Sequence, residues 1–294
     1  MTVNPISNPS ADSRPRRTRA VILAGGQGTR LRPYTSILPK PLMPIGHRSI
    51  LEVVIEQLGY SGIEDVTLCV GYLSHLIRAV IDSRADCSAA IRYVQEEQAL
   101  GTAGPLHLVE GLDETFVVMN GDVLTTLNFG SLVRYHKRQG NAVTIATHDR
   151  RIKIDYGVLH LESQAKNPRI LGFEEKPEVT SAVSMGIYVI EPWVLELIPR
   201  GRRFDFPDLI QLLLRDGHPV GAYRYDGLWF DIGRHEDYEE AVDAWQAATV
   251  PANGNGNGNG NGNGNGNGNG NAHRRLVPAA KVRTAGRKDQ ALSK

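Results

Sequence analysis

Several short stretches of this 294-residue chain hold residue types suited to phosphate chemistry. The first is Leu23-Ala24-Gly25-Gly26-Gln27-Gly28-Thr29-Arg30-Leu31-Arg32. Glycines lack a Cβ, so backbone N–H groups can come close to phosphate oxygens, and Arg30 and Arg32 bring positive charge. The same glycines would also suit a tight strand-to-helix turn that binds nothing. Spacing excludes two other phosphate loops. The pattern G-x-G-x-x-G starts at Gly26 and Gly28 but meets Leu31 in its third place, and the triplet Gly-Lys-Ser/Thr occurs nowhere. Next comes Leu38-Pro39-Lys40-Pro41-Leu42, where flanking prolines stiffen the backbone and confine the lysine ammonium. Two aspartates close apolar runs: Asp122 in Asn120-Gly121-Asp122, and Asp231 in Trp229-Phe230-Asp231-Ile232-Gly233. A lone Asp at a strand end is usually a turn former. A carboxylate among Trp, Phe and Ile, however, costs several kcal/mol unless a cation or hydrogen bonds compensate. Phe173-Glu174-Glu175-Lys176-Pro177 reads by itself as a charged strand end entering a turn.

The elements that must position these residues alternate. Ala20–Ala24, Val66–Val70, Ile91–Val94 and Phe116–Met119 read as strands. Helices are expected over Ile50–Leu58, with Ser49 and Glu52 able to cap its start, near Ser74–Ile81, and over Thr102–Glu110. Such alternation predicts a parallel, doubly wound sheet with its functional residues at the carboxyl ends of the strands. After about residue 142, strands at Ala142–Thr147, Gly157–Leu161, Ile170–Glu174 and Val183–Ile190 predict a mixed extension and a lid-like substrate region. Helices are expected near Pro207–Arg215 and His235–Ala247. In the second, Tyr238, Ala241, Val242 and Trp245 form a stripe read as core packing.

The fold class is therefore α/β, a Rossmann-like doubly wound mixed sheet in a single domain over 19–250. Segment 1–18 reads as disordered, 251–271 as an Asn-Gly flexible linker and 272–294 as a basic disordered tail. Net charge is +1, but residues 1–19 carry +3 and 253–294 carry +6. The stretch between them is eight charges negative, so no nucleic-acid-binding fold is expected and anionic ligands must be held by a few placed cations. No run approaches the roughly 18 apolar residues of a membrane span, and the N-terminus has no apolar signal core. Cys69 and Cys87 sit among apolar or small residues and read as buried thiols in a reducing, cytoplasmic setting.

The run from Val21 to Pro44 resembles the signature of sugar-1-phosphate nucleotidylyltransferases, and the resemblance extends over about 20–240. It implies joining of a nucleoside triphosphate to a sugar 1-phosphate with release of pyrophosphate, and magnesium as cofactor on Asp122 and Asp231. Arg30 and Lys40 would then hold the triphosphate, with Leu23, Ala24, Gly25, Gly26, Gly28 and Thr29 along the nucleotide. The run from Gln95 to Leu106 is where such enzymes read the base, with the Gly101 and Thr102 backbone at a helix start and the Gln95 amide as readers. Lys176 would pair with the phosphate of the sugar 1-phosphate and Glu175 with sugar hydroxyls, while Gly157 and Gly186 lie against the sugar. A homo-oligomer is compatible with the family.

The Glu96–Leu106 run and Trp229–Gly233 are most similar to mannose-1-phosphate guanylyltransferases, which make GDP-mannose from GTP. Other branches take glucose or heptose phosphates with UTP, dTTP or CTP, and no residue excludes them; Gln27 does not decide the base. Two rival classes are a non-catalytic regulator that binds a nucleotide sugar, and a nucleic-acid or membrane adaptor built on the basic tail. The presence of Arg30, Asp122, Asp231 and Lys176 weighs against the first. The tail's lack of aromatic residues and of an amphipathic face weighs against the second.

Overall fold

The computed structural model describes residues 18–84, 89–163, 166–233 and 235–249. Cys87, the expected N-terminal segment up to residue 17, the Asn-Gly tract and the basic tail lie outside the described residues. In chain order the elements are β1 (Arg19–Ala24), β2 (Pro44–Ile45), β3 (Arg48–Ser49), α1 (Ile50–Tyr60), β4 (Asp65–Val70), α2 (Ser74–Asp82), β5 (Ala90–Gln95), β6 (Phe116–Asn120) and β7 (Val123–Thr125). There follow α3 (Phe129–Gln139), β8 (Val143–Lys153), β9 (Gly157–Leu161), β10 (Ile170–Glu175), β11 (Glu178–Ile190), α4 (Phe206–Arg215), β12 (Val220–Arg224), β13 (Trp229–Asp231) and α5 (His235–Thr249).

Seven strands form one mixed sheet in the order β12-β8-β11-β6-β1-β4-β5. β6, β1, β4 and β5 run parallel, and β11 is antiparallel to both β6 and β8. The apolar strands of the parallel half feed two cores, as a sheet covered on both faces requires. Ala20, Ile22, Val117 and Met119 pack with α1, α2, α3 and α5. Val21, Phe116 and Val118 pack with α4 on the other face. Cys69 lies fully within the second core, where burial pushes its thiol up to about 12 and Glu96 adds to the shift.

Local sequence fixes several element ends. Ser49 and Glu52 form the expected capping box: the Glu52 N–H donates to Ser49 Oγ (3.3 Å), and the Glu52 carboxylate accepts the Ser49 N–H. The stripe on α5 packs as read, with Ala241 and Trp245 buried and Tyr238 and Val242 against the same core. No described helix is long and apolar enough to cross a membrane.

The structure departs from expectation in three places. Thr102–Glu110 is no α-helix; only a short 3-10 segment, Gly104–Leu108, forms. The N–H groups of Ala103 and Gly104 donate instead to the Phe204 carbonyl (3.0 Å each), so a tertiary contact outbids the local pattern. Helix α3 and strand β12 were not legible. Strands β8 and β11 are also longer than expected; their outer halves are largely exposed, with β9 and β10 paired beside them.

Candidate active site

At the carboxyl end of β1 the chain enters Gly25–Gly28 and then one 3-10 turn, Thr29–Leu31. Gly28 sits at φ +60°, the left-handed region that favours glycine. Its carbonyl accepts the Leu31 N–H (3.0 Å) and the Thr35 hydroxyl (2.8 Å). Among the described residues the N–H groups of Gly26, Gln27, Gly28, Thr29 and Arg30 donate to no acceptor. Five consecutive unused donors make a surface suited to an anion. The Leu23 carbonyl, by contrast, is committed: it accepts the Gly121 N–H (2.8 Å).

Lys40 opens a further 3-10 turn, Lys40–Leu42, entered through Pro39 in extended conformation. The residue is buried, 8% exposed, and its stem packs beside Gly28. Its ammonium donates to Asp122 Oδ2 and stands 3.8 Å from Asp231 Oδ1. The two aspartates meet because β13 pairs antiparallel with β7, Asp231 opposite Val123. The Ile232 N–H extends the ladder to the Asp122 carbonyl (3.3 Å). Burial raises the Asp231 pKa first and the neighbouring Asp122 charge raises it further, while Lys40 and Arg30 oppose the shift. Arg30 also passes close to Gly233, two residues after Asp231.

Asp122 Oδ1 is buried and has no hydrogen-bond partner among the described residues. A carboxylate oxygen left so is costly unless something else satisfies it. Among the described residues no group of three or more His, Cys, Asp or Glu is placed to hold a metal. Two carboxylates facing a phosphate-type loop nevertheless match the habit of magnesium, which takes few protein ligands and completes its shell with substrate phosphate and water.

The remaining expected residues are spread more widely. Gly186, at φ +70°, lies against Asn120, where an added Cβ would fall 2.6 Å from Nδ2. This puts it next to the strand end that carries Asp122. Gly157 pairs with Glu175 across β9 and β10, and the Phe173 ring covers it; an added Cβ would come within 2.5 Å of that ring. Its glycine is thus explained by Phe173 packing. Lys176 is exposed at φ +48° between β10 and β11 and makes no hydrogen bond or ion pair among the described residues. Strand β11 runs in unbroken register from Glu178 to Ser184, which at strand rise separates Lys176 from Gly186 by roughly 20 Å or more. The structure therefore brings Arg30, Lys40, Asp122 and Asp231 together, with Gly186 beside them, and leaves Gly157, Glu175 and Lys176 on the projecting strands.

The base-reading segment needs correction. Gly101, at φ +83°, starts no α-helix, and the Thr102 N–H is already spent on Asp205 Oδ1 (2.8 Å). The Thr102 hydroxyl accepts the Phe206 N–H (2.9 Å), so Thr102 caps α4 from a distance in sequence. Of the Gly101 and Thr102 N–H groups, that of Gly101 has no acceptor among the described residues. Gln95 is exposed, its amide 3.5 Å from the Glu96 carbonyl.

The sequence profile of the nucleotidyl transferase family matches residues 19–247. The chain belongs to that family. It is 34% identical over 244 residues to a UTP–glucose-1-phosphate uridylyltransferase of Synechocystis, covering 76% of this chain and 62% of the relative. It is also 34% identical over 231 residues to a mannose-1-phosphate guanyltransferase of Emericella nidulans, covering 75% and 62%. The chain thus spans about three-fifths of the length of these curated relatives. A solved UDP-glucose pyrophosphorylase complexed with UDP-glucose shares the fold, with a TM-score of 0.59 at 19% identity over 79% of this chain and 99% of the other.

In this nucleotidyl transferase, Glu96 joins the site as well. Glu96 follows β5 directly and lies against Gly25, where an added Cβ would fall 2.7 Å from its Oε1. A usable signal was present: a carboxylate just past a strand's carboxyl end, on the same sheet edge as the glycine loop.

Proposed function

We propose that the protein transfers a nucleotidyl group from a nucleoside triphosphate to a sugar 1-phosphate, giving a nucleotide sugar and pyrophosphate. The observation that carries this reading is the Lys40–Asp122–Asp231 cluster set beneath a loop with five free N–H donors. Residue by residue, the free N–H groups of Gly26–Arg30 and the Arg30 guanidinium receive the triphosphate. Lys40 holds Asp122 in place and offers its charge to the leaving pyrophosphate. Asp122 and Asp231 would hold magnesium, which when bound neutralises phosphate charge and polarises the phosphorus–oxygen bonds.

The sugar phosphate oxygen attacks the α-phosphorus in line; the bond to the β-phosphate bridging oxygen breaks and pyrophosphate departs. The nucleophile is already an anion, so no general base is needed. The obstacle is repulsion between two polyanions, which positioning and fixed cations remove. Lys176, exposed at the turn between β10 and β11, is the cation we assign to the phosphate of the sugar 1-phosphate, on the family resemblance of its Glu-Glu-Lys-Pro segment.

GTP with mannose 1-phosphate is the pair we favour, on the similarity of the Glu96–Leu106 and Trp229–Gly233 runs to guanylyltransferases. Glucose 1-phosphate with UTP or dTTP is the second pair, since a uridylyltransferase matches at equal identity. Incubation with magnesium, each common NTP and a panel of sugar 1-phosphates, read by pyrophosphate release, tests both. Release with no combination would remove the enzymatic reading.

A further inference from the structure

A cavity of about 270 Å³ opens where β8 and β12 begin and β11 ends, at the opposite end of the sheet from the Lys40–Asp122–Asp231 cluster. Thr115, on its wall, precedes β6 and Asp122 follows that strand, so roughly 20 Å of extended chain separates the two places. A chain of hydrogen bonds forms one wall, and its directions follow from its last member. Glu191 Oε1 accepts the Thr115 hydroxyl (2.8 Å) and, because a carboxylate only accepts, the Nε2–H of His136 (2.9 Å). His136 Nδ1 must then accept the Thr144 hydroxyl (2.9 Å), whose oxygen takes an Asn141 amide N–H (2.9 Å). Two acceptors are left over on cavity-lining residues: Glu191 Oε2 and Asn141 Oδ1 make no hydrogen bond among the described residues. Burial lowers the His136 pKa, so at neutral pH the ring gives Glu191 a hydrogen bond and no charge.

Lys137 lines the same cavity, exposed and without hydrogen bond or ion pair among the described residues. Trp193, 39% exposed, and Pro219 add an apolar wall. One cavity thus holds an acid and a base that do not pair with each other and that no other charge answers. We infer that it binds a small zwitterion of the α-amino acid class with an apolar side chain. The ammonium would sit on Glu191 Oε2 and Asn141 Oδ1, the carboxylate on Lys137 and the side chain against Trp193 and Pro219. A ligand of one sign would leave the other charge unanswered, and an inorganic ion would leave the indole bare. The volume falls below the roughly 300 Å³ at which pockets for larger ligands begin, which suits an amino acid and is too little for a nucleotide sugar. This site stands apart from the nucleotidyl-transfer reading and does not depend on it.

The test is calorimetric titration of the full chain at neutral pH with two matched sets. L-phenylalanine is compared with phenethylamine, which keeps only the ammonium, and with 3-phenylpropionate, which keeps only the carboxylate. L-leucine is compared in the same way with isoamylamine and 4-methylpentanoate. At least one amino acid is expected to bind roughly tenfold or more tighter than both its analogues, the scale of a hydrogen bond to a charged group. Lys137→Met is expected to weaken that amino acid by a similar factor and leave its amine analogue unchanged. Glu191→Gln should weaken it too, leaving the carboxylate analogue unchanged. A merely structural role for either residue would not give this crossed pattern. No saturable heat with either amino acid overturns the inference. So does an amine that binds as tightly as its amino acid and ignores Lys137→Met, which would make the cavity a plain cation site. If Glu191→Gln does not fold, the exposed Lys137→Met and the comparison of wild-type affinities decide.

Discussion

Lys40 donates to one oxygen of Asp122, while the other oxygen of that carboxylate is buried without a partner among the described residues. The lysine therefore fixes the aspartate's orientation without satisfying it. An open carboxylate oxygen in this position agrees with the metal role proposed for Asp122.

Asp122→Ala is expected to lower pyrophosphate release by roughly 10³-fold, the scale of losing a group that acts on developing charge. Circular dichroism should show an intact fold, because the residue lies in the turn between β6 and β7 rather than in a core. Activity within tenfold of wild type in excess magnesium would remove the metal assignment.

Asp231 gives a pH-dependent expectation. Its pKa is raised in the folded chain, mainly by burial, so between the ordinary carboxylate value and the raised one the native state holds more protons than the unfolded state. Through that window this group makes stability fall as pH rises, and the loss persists at neutral pH. Asp231→Asn is expected to raise the melting temperature of the metal-free protein at pH 7 and to flatten this part of the pH profile, while cutting turnover by roughly 10²-fold or more. A lower melting temperature in the variant would contradict the sign.

Thr102→Val separates capping from base reading. It removes the hydroxyl that receives the Phe206 N–H, which should cost about 1–2 kcal/mol, or roughly 2–8 °C in melting temperature for a domain of this size. The KM for nucleotide is expected to stay at the wild-type value. A large rise in that KM with unchanged stability would restore the base-reading role.

Lys176→Ala is expected to raise the KM for sugar 1-phosphate by roughly tenfold or more, on the scale of one charge-assisted contact. Initial-rate kinetics with each substrate varied in turn would check it. An effect confined to the nucleotide would detach Lys176 from the acceptor side.

Much of the fold was legible because its parallel strands are uninterrupted apolar runs and α1 carries its own capping box. Helix α3 was not, because His136 occupies a slot in its buried stripe of Phe129, Leu132 and Val133. That histidine is fully buried and held by Thr144 and Glu191 (2.9 Å each), partners that no local window contains. Burial lowers its pKa, against the pull of Glu191. The meeting of Asp122 with Asp231 was implied by the family resemblance, since neither motif alone names the other as its partner. Thr102 misled because its partner Asp205 lies far along the chain. Beyond its place just past a strand, Glu96 gave no signal of its own in the sequence, because its contact with Gly25 joins the ends of two strands far apart along the chain.

The β7–β13 ladder has a temporal consequence. Arg30, Lys40 and Asp122 are all made early, yet the second carboxylate arrives on a three-residue strand that α5 packs against. During synthesis the larger part of the sheet can therefore assemble while the chain is still inert, and competence is expected only when the last described helix has emerged and docked.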